Sequence, residues 1–164
     1  MTTIHWWKVG AVGVLGSLII FIAMFIGTNV TGMAPFNLPP SAALLAALGL
    51  PAQPLAPIAH FGYGILWALI AAAVFRAQLD IWRGIGIAVV AQWLVLMQLV
   101  YSPLTGWGVF GSNAGTLAAD APLALSSTPK YLVMTLLLHA VYGAINGWLI
   151  PKWAYSTGQP APAT

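Results

Sequence analysis

The sequence carries very little charge. Five residues are lysine or arginine and two are aspartate or glutamate, so charged residues make up 4% of the 164 residues. A soluble domain carries about 25% charged residues because its surface faces water. So few charges cannot cover a soluble surface of this size. The sequence therefore predicts an integral membrane protein whose surface faces mainly lipid.

Cysteine is absent altogether. Its absence excludes disulfide bonds, thiolate metal sites and cysteine nucleophiles. The sequence also shows no Ser-His-Asp arrangement, phosphate-binding loop, H-E-x-x-H motif or carboxylate pair. The basic residues are scattered rather than clustered, so the net charge of +3 does not indicate nucleic-acid binding. Neither an autonomous enzyme nor a nucleic-acid-binding protein is indicated.

What the chain has instead is four long apolar segments, each able to cross a hydrocarbon core of roughly 30 Å. The predicted spans cover approximately residues 9–27, 57–75, 82–101 and 130–150. Together they predict one four-helix transmembrane domain over 1–155, followed by a flexible tail over 156–164. A short helix, with Ser41 as N-cap and Gly49 at its end, is expected in the loop after the first span. It is too short to span, so it should lie on the membrane surface or plug the bundle.

Basic residues set the predicted orientation. One end of a four-span bundle carries most of them: Lys8, Arg76, Arg83 and Lys152. The other end carries Lys130 alone. By the positive-inside rule both termini are cytoplasmic and both long loops lie outside.

Two H-x-x-Y-G motifs mark an internal repeat. His60-Phe61-Gly62-Tyr63-Gly64 lies in the second predicted span, and His139-Ala140-Val141-Tyr142-Gly143 lies in the fourth, about half the chain length later. Each half reads as helix, long outer loop, helix. The predicted fold class is all-α membrane protein, with two repeats of the same orientation related by an axis along the membrane normal.

A further segment follows the third span, Pro103 to Gly111 (P-L-T-G-W-G-V-F-G). It is similar to a P-L-x-G-x-G-x-F-G signature. Together with the H-x-x-Y-G pair it resembles a family of small four-span bacterial membrane proteins, over most of residues 9–150. The resemblance implies a four-helix, multi-pass protein of the bacterial inner membrane. That family has no established activity, so the resemblance implies none here.

Helical spacing places the histidine, tyrosine and glycine of each motif on one face of its helix. One stripe consists of His60, Tyr63, Gly64 and Trp67. The equivalent stripe consists of His139, Tyr142, Gly143 and Asn146. Counted from the cytoplasmic ends, the imidazoles lie roughly 24 and roughly 20 Å along two helices that run the same way. The two histidines are therefore expected at similar depth.

Three hypotheses follow for His60 and His139. Two neutral imidazoles at one depth suit axial ligation of the iron of a single b-type haem, with the motif glycines leaving space for the macrocycle and the tyrosines packing against it. The same geometry suits a chlorin or a quinone head group, and the histidines could also handle an ion or a proton. Alternatively, each histidine is structural and forms hydrogen bonds between helices. Gln92 and Gln98 of the third span do not share a helix face, and either could partner a histidine.

The favoured function is a non-catalytic small subunit of a larger membrane complex, of the electron-transfer or energy-transducing kind. The expected partners are the lipid bilayer and other membrane subunits, because the outer loops are almost uncharged. Two alternatives stay open. One is a membrane protein that binds haem b, a quinone or a pigment through His60 and His139. The other is a small transporter or channel, for which the spans hold few charges.

Overall fold

The computed structural model describes residues 2–157, which are mainly helical, with two short terminal strands and two long loops. The first span, α1 (Trp6–Phe25), continues as a π-helical turn over Ile26–Val30; the others are α3 (Ala52–Phe75), α4 (Ile81–Leu104) and α5 (Thr128–Trp153). A short helix α2 (Pro40–Ala47) precedes α3, and 3-10 turns cover Arg76–Gln78 and Val109–Gly111. Within α4 the winding is α-helical over Ile81–Ile87, π-helical over Ala88–Tyr101 and α-helical over Ser102–Leu104. Strands β1 (Thr2–Ile4) and β2 (Tyr155–Thr157) pair antiparallel.

The helices α1, α3, α4 and α5 are long and apolar enough to cross a membrane. The predicted all-α membrane fold with four spans is therefore confirmed. Because β1 pairs with β2, the two ends of the described chain lie at the same end of the bundle. Of the predicted tail, Ser156 and Thr157 belong to β2, and the rest lies outside the described residues.

Local chemistry explains where α2 and α4 begin. Asp80 caps α4, because its Oδ1 accepts a hydrogen bond from the Arg83 amide at 2.8 Å and its Oδ2 lies 2.9 Å from the Arg83 guanidinium. The expected N-cap at Ser41 is wrong, since α2 already starts at Pro40. Proline is preorganised for the first helical position. Gly49, with φ of 71°, follows the end of α2 as expected.

Glycines allow the spans to pack as two equivalent pairs. Gly13 of α1 lies against the Gly64 carbonyl of α3, and Gly84 of α4 lies against the Gly143 carbonyl of α5. Gly64 and Gly143 both end an H-x-x-Y-G motif, so the same position of each repeat makes the close approach. Contacts between α1 and α5 join the two pairs.

The two long loops pack on each other at the end opposite the strands, forming a loop cap (residues 31–51 and 105–127). Trp107 is its centre, 1% exposed and stacked on Phe36 with ring centroids 5.8 Å apart. Its indole N–H donates to the Leu123 carbonyl at 2.9 Å. The P-L-T-G-W-G-V-F-G segment therefore organises the end of the bundle opposite the strands.

Candidate functional site

A cavity of about 400 Å³ lies in the half of the bundle next to the loop cap. Its lining is almost entirely apolar, and no lysine, arginine, aspartate or glutamate within residues 2–157 contributes to it. The volume falls within the range of small-molecule sites, about 300–1,000 Å³. The polar side chains that matter most in its lining are His60, Tyr63, Gln92, Thr135, His139 and Tyr142.

The cavity exists because α3 and α4 diverge. Helix α3 packs on α1 and α2, α4 packs on α5, and α3 and α4 make few contacts with each other. Val100 and Leu104 of α4, 44% and 56% exposed, belong to the lining together with the partly exposed Tyr63 of α3. The cavity therefore opens sideways, between α3 and α4. Helix α2 covers it from the loop-cap end, where the Tyr101 hydroxyl donates to the Pro40 carbonyl.

His60 on α3 reaches across to α1. Its Nε2 lies 2.9 Å from the carbonyl oxygen of Ser17. A carbonyl oxygen only accepts hydrogen bonds, so Nε2 carries a hydrogen, and in the tautomer with that single hydrogen the lone pair is on Nδ1. His60 thus lines the cavity and also joins α3 to α1, the kind of interhelical bond that the structural hypothesis describes.

His139 on α5 bonds within its own helix. Its Nδ1 lies 2.7 Å from the Thr135 carbonyl oxygen, one turn earlier. By the same reasoning Nδ1 carries the hydrogen, and the lone pair is on Nε2, on the other side of a ring that belongs to the cavity lining. The two histidines line one cavity but form hydrogen bonds through opposite ring nitrogens. The two repeats therefore place histidine at equivalent backbone positions but differ in the hydrogen bonds of the side chain.

The two motif tyrosines also differ. Tyr142 is buried, and its hydroxyl donates to the Gly64 carbonyl, so this hydroxyl links α5 to α3. Tyr63 is 37% exposed and meets the Trp67 ring edge-on, with centroids 6.2 Å apart. Tyr63 therefore stands at the side opening of the cavity, and Tyr142 closes its inner end.

The motif glycines serve helix packing, which corrects the expectation that they leave space for a macrocycle. Gly64 belongs to the cavity lining, but the Ser17 side chain fills the space beside its Cα. Gly143 is not part of the lining and lies against Gly84 and Ala88 of α4. Both positions lack a side chain because a neighbouring helix occupies the space.

Gln92 of α4 completes the polar part of the site. It is 2% exposed and lines the cavity, where its carboxamide carries both a hydrogen-bond donor and an acceptor. Gln98 lies outside the lining, fully buried, and its amide atoms lack partners among residues 2–157. The two glutamines therefore face different surroundings, in keeping with their predicted separation around the helix.

The sequence did not single out Thr135 or Tyr101, which also line the cavity. The Thr135 hydroxyl donates to the Tyr131 carbonyl at 2.7 Å and accepts from the Trp93 indole at 2.9 Å. Spacing alone offered one signal, since Thr135 precedes His139 by one helical turn. The role of Tyr101 depends on where α2 packs, and the local sequence does not predict that position.

The site fits haem ligation only in part. No group of three or more His, Cys, Asp or Glu able to hold a metal ion occurs within the described range 2–157. Bis-histidine ligation needs only two imidazoles, each offering a ring lone pair to iron. His139 has the arrangement usual for a ligand, with Nδ1 bonded to a backbone carbonyl and Nε2 free. In His60 the Nε2 atom is bonded to Ser17, so the two rings do not present matching nitrogens.

Comparison of the chain with protein-family models, with curated proteins and with solved structures finds no match. The likeness carried by H-x-x-Y-G and P-L-T-G-W-G-V-F-G therefore remains a likeness of short motifs. The structure itself shows a multi-pass all-α membrane protein with an apolar cavity that two of its histidines share.

Proposed function

We propose that the protein binds a neutral, lipid-soluble molecule of the quinone class, with the head group in the cavity. The observation that supports this proposal is an apolar lining combined with hydrogen-bonding groups on two helices, the Gln92 carboxamide and His139 Nε2. A charged ligand is disfavoured, because no charged side chain in the described part of the chain lines the cavity to offset desolvation. The opening between α3 and α4 allows entry from lipid and leaves room for a tail.

A non-catalytic role as a small subunit of an electron-transfer membrane complex fits such binding, because quinones carry electrons within the bilayer. The loop cap supports a subunit role, since it exposes Met33, Leu48 and Leu117 by 50% or more. A subunit that covers these side chains removes their apolar surface from water. The proposed partner is a neighbouring membrane subunit that covers the loop cap.

Ligand binding is tested with the protein purified in mild detergent and titrated with decylubiquinone and decylubiquinol. Saturable quenching of tryptophan fluorescence is expected with at least one redox form, because Trp67 and Trp93 lie beside the cavity residues Tyr63 and Thr135. Gln92→Leu is expected to weaken that binding about tenfold, since one buried hydrogen bond is lost. Gln98→Leu is the matched control, made on the same helix but outside the lining.

The outcomes of these experiments separate the hypotheses. Failure of both redox forms to bind, or equal losses in the two glutamine variants, contradicts the quinone proposal. A Soret absorption band in the same preparation that disappears in His139→Ala supports the haem b alternative instead. Co-purifying membrane proteins support the subunit role. A lone monodisperse protein counts against that role but says nothing about ligand binding.

We also propose that both termini face the cytoplasm, in the bacterial inner membrane. The end with the paired strands carries most of the basic residues: Lys8, Arg76, Arg83 and Lys152. Positive charge accumulates on the cytoplasmic side of membrane proteins. Tryptophans accompany these cations, as expected at a membrane boundary: the Lys152 ammonium lies 4.4 Å from the Trp148 ring centroid.

Single cysteines test this orientation without background, because the chain has none of its own. In spheroplasts, a membrane-impermeant maleimide is expected to label Thr116→Cys in the loop cap and to spare Ser156→Cys in β2 until the membrane is permeabilised. Both side chains are exposed, so differences in burial do not explain a contrast. The reverse labelling pattern contradicts the proposed orientation.

A further inference from the structure

We infer that the cavity selects the hydroxyl-bearing, reduced form of a quinone-type head group over the carbonyl-bearing, oxidised form. This selectivity rests on the proposed function and follows from the hydrogen-bond inventory of the cavity.

Both histidines present lone pairs rather than N–H groups to a ligand. His139 donates from Nδ1 to the Thr135 carbonyl and keeps its lone pair on Nε2. His60 donates from Nε2 to the Ser17 carbonyl and keeps its lone pair on Nδ1. No acid or base other than histidine and tyrosine lines the cavity within residues 2–157, so nothing there offsets the cost of a cationic imidazole. The free ring nitrogens are therefore acceptors.

Of the six hydroxyl groups that line the cavity, three donate to the protein; those of Ser17, Ser41 and Tyr63 make no such bond among the described residues. The Tyr142 hydroxyl donates to Gly64, and the Tyr101 hydroxyl donates to Pro40. The Thr135 hydroxyl donates to its own helix. The Gln92 carboxamide inside the cavity supplies an N–H donor. The inner part of the cavity therefore offers an acceptor on α5 and a donor on α4.

A quinol can form a hydrogen bond with both His139 Nε2 and the Gln92 amide, whereas a quinone can form one only with the Gln92 amide. One quinol hydroxyl donates to His139 Nε2, and the other oxygen accepts from the Gln92 amide. The two oxygens of a quinone only accept, so the quinone leaves the His139 lone pair facing a second lone pair. A buried acceptor left without its donor weakens binding by about tenfold or more.

Anaerobic titration with three probes tests the selectivity: decylubiquinol, decylubiquinone and the dimethyl ether of the quinol. The ether keeps the aromatic ring of the reduced head group, with a methyl group in place of each hydroxyl hydrogen, and donates no hydrogen bond. The quinol is expected to bind about tenfold more tightly than either other probe. His139→Ala is expected to remove this preference, and His5→Ala is expected to keep it, because His5 lies at the strand end and contacts Ser156.

Each contrary result has a distinct meaning. Equal or tighter binding of the quinone or of the ether by the wild type overturns the selectivity and leaves quinone-class binding standing. A quinol preference that survives His139→Ala also overturns it. Failure of all three probes to bind overturns the proposed function itself. The wild-type comparison of quinol with ether keeps the inference testable even if His139→Ala does not fold.

Discussion

Gly84→Ala is expected to lower the melting temperature of the detergent-solubilised protein, whereas Gly86→Ala, on the same helix, is expected to leave it unchanged or raise it. A Cβ at Gly84 would collide with the Gly143 carbonyl and the Gly147 backbone of α5. Backbone atoms cannot rotate aside, so α4 and α5 must separate. Overpacking of this kind costs about 1–3 kcal/mol. At Gly86 an added Cβ meets nothing within 4 Å, and alanine favours the helix by up to about 1 kcal/mol over glycine.

The first repeat offers the same contrast as a control. Gly64→Ala is expected to destabilise, because Ser17 and the Gly13 carbonyl fill the space, whereas Gly62→Ala meets nothing within 4 Å. Melting followed by tryptophan fluorescence measures all four variants, with far-ultraviolet circular dichroism as a check on helix content. Equal melting temperatures for Gly84→Ala and Gly86→Ala would show that α4 and α5 do not approach through glycine.

The membrane fold was predictable because its signals are local. Long uncharged runs define the spans, and Asp80 with Arg83 marks the short turn between α3 and α4. The sequence similarity between the first and third spans is weak, because only small residues occupy equivalent positions in both. Gly13 packs on Gly64 as Gly84 packs on Gly143, and no longer motif accompanies the match.

The sequence predicted several of the residues that belong to the candidate site, but not how their side chains form hydrogen bonds. Helical spacing brought His60 and Tyr63 to one face, and the repeat suggested that His139 shares their site; all three line the cavity. Spacing did not reveal which ring nitrogen each histidine uses, since that depends on the backbone carbonyl it meets. It also misjudged Gly143, because a missing side chain fits a helix contact as well as a cofactor.

Trp107→Ala is expected to destabilise the loop cap more than any other single truncation there. The indole is 1% exposed, stacks on Phe36 and meets Tyr131 edge-on at 5.5 Å. Removing a buried aromatic side chain costs about 3–5 kcal/mol, and the truncation also leaves the Leu123 carbonyl without its indole donor. Limited proteolysis in detergent is expected to cut within residues 105–127 much faster than in the wild type, and the melting temperature is expected to fall.

The destabilisation in Trp107→Ala is expected to alter the cavity as well. Trp107 packs against Tyr101, with ring centroids 5.9 Å apart, and the Tyr101 hydroxyl holds α2 through the Pro40 carbonyl. Ligand binding in Trp107→Ala is therefore expected to weaken even though Trp107 is not part of the lining. Trp82→Ala is the control, since that indole is 80% exposed at the opposite end of the bundle. Unchanged proteolysis and unchanged binding in Trp107→Ala would mean that α2 keeps its place over the cavity without the contacts of the Trp107 indole.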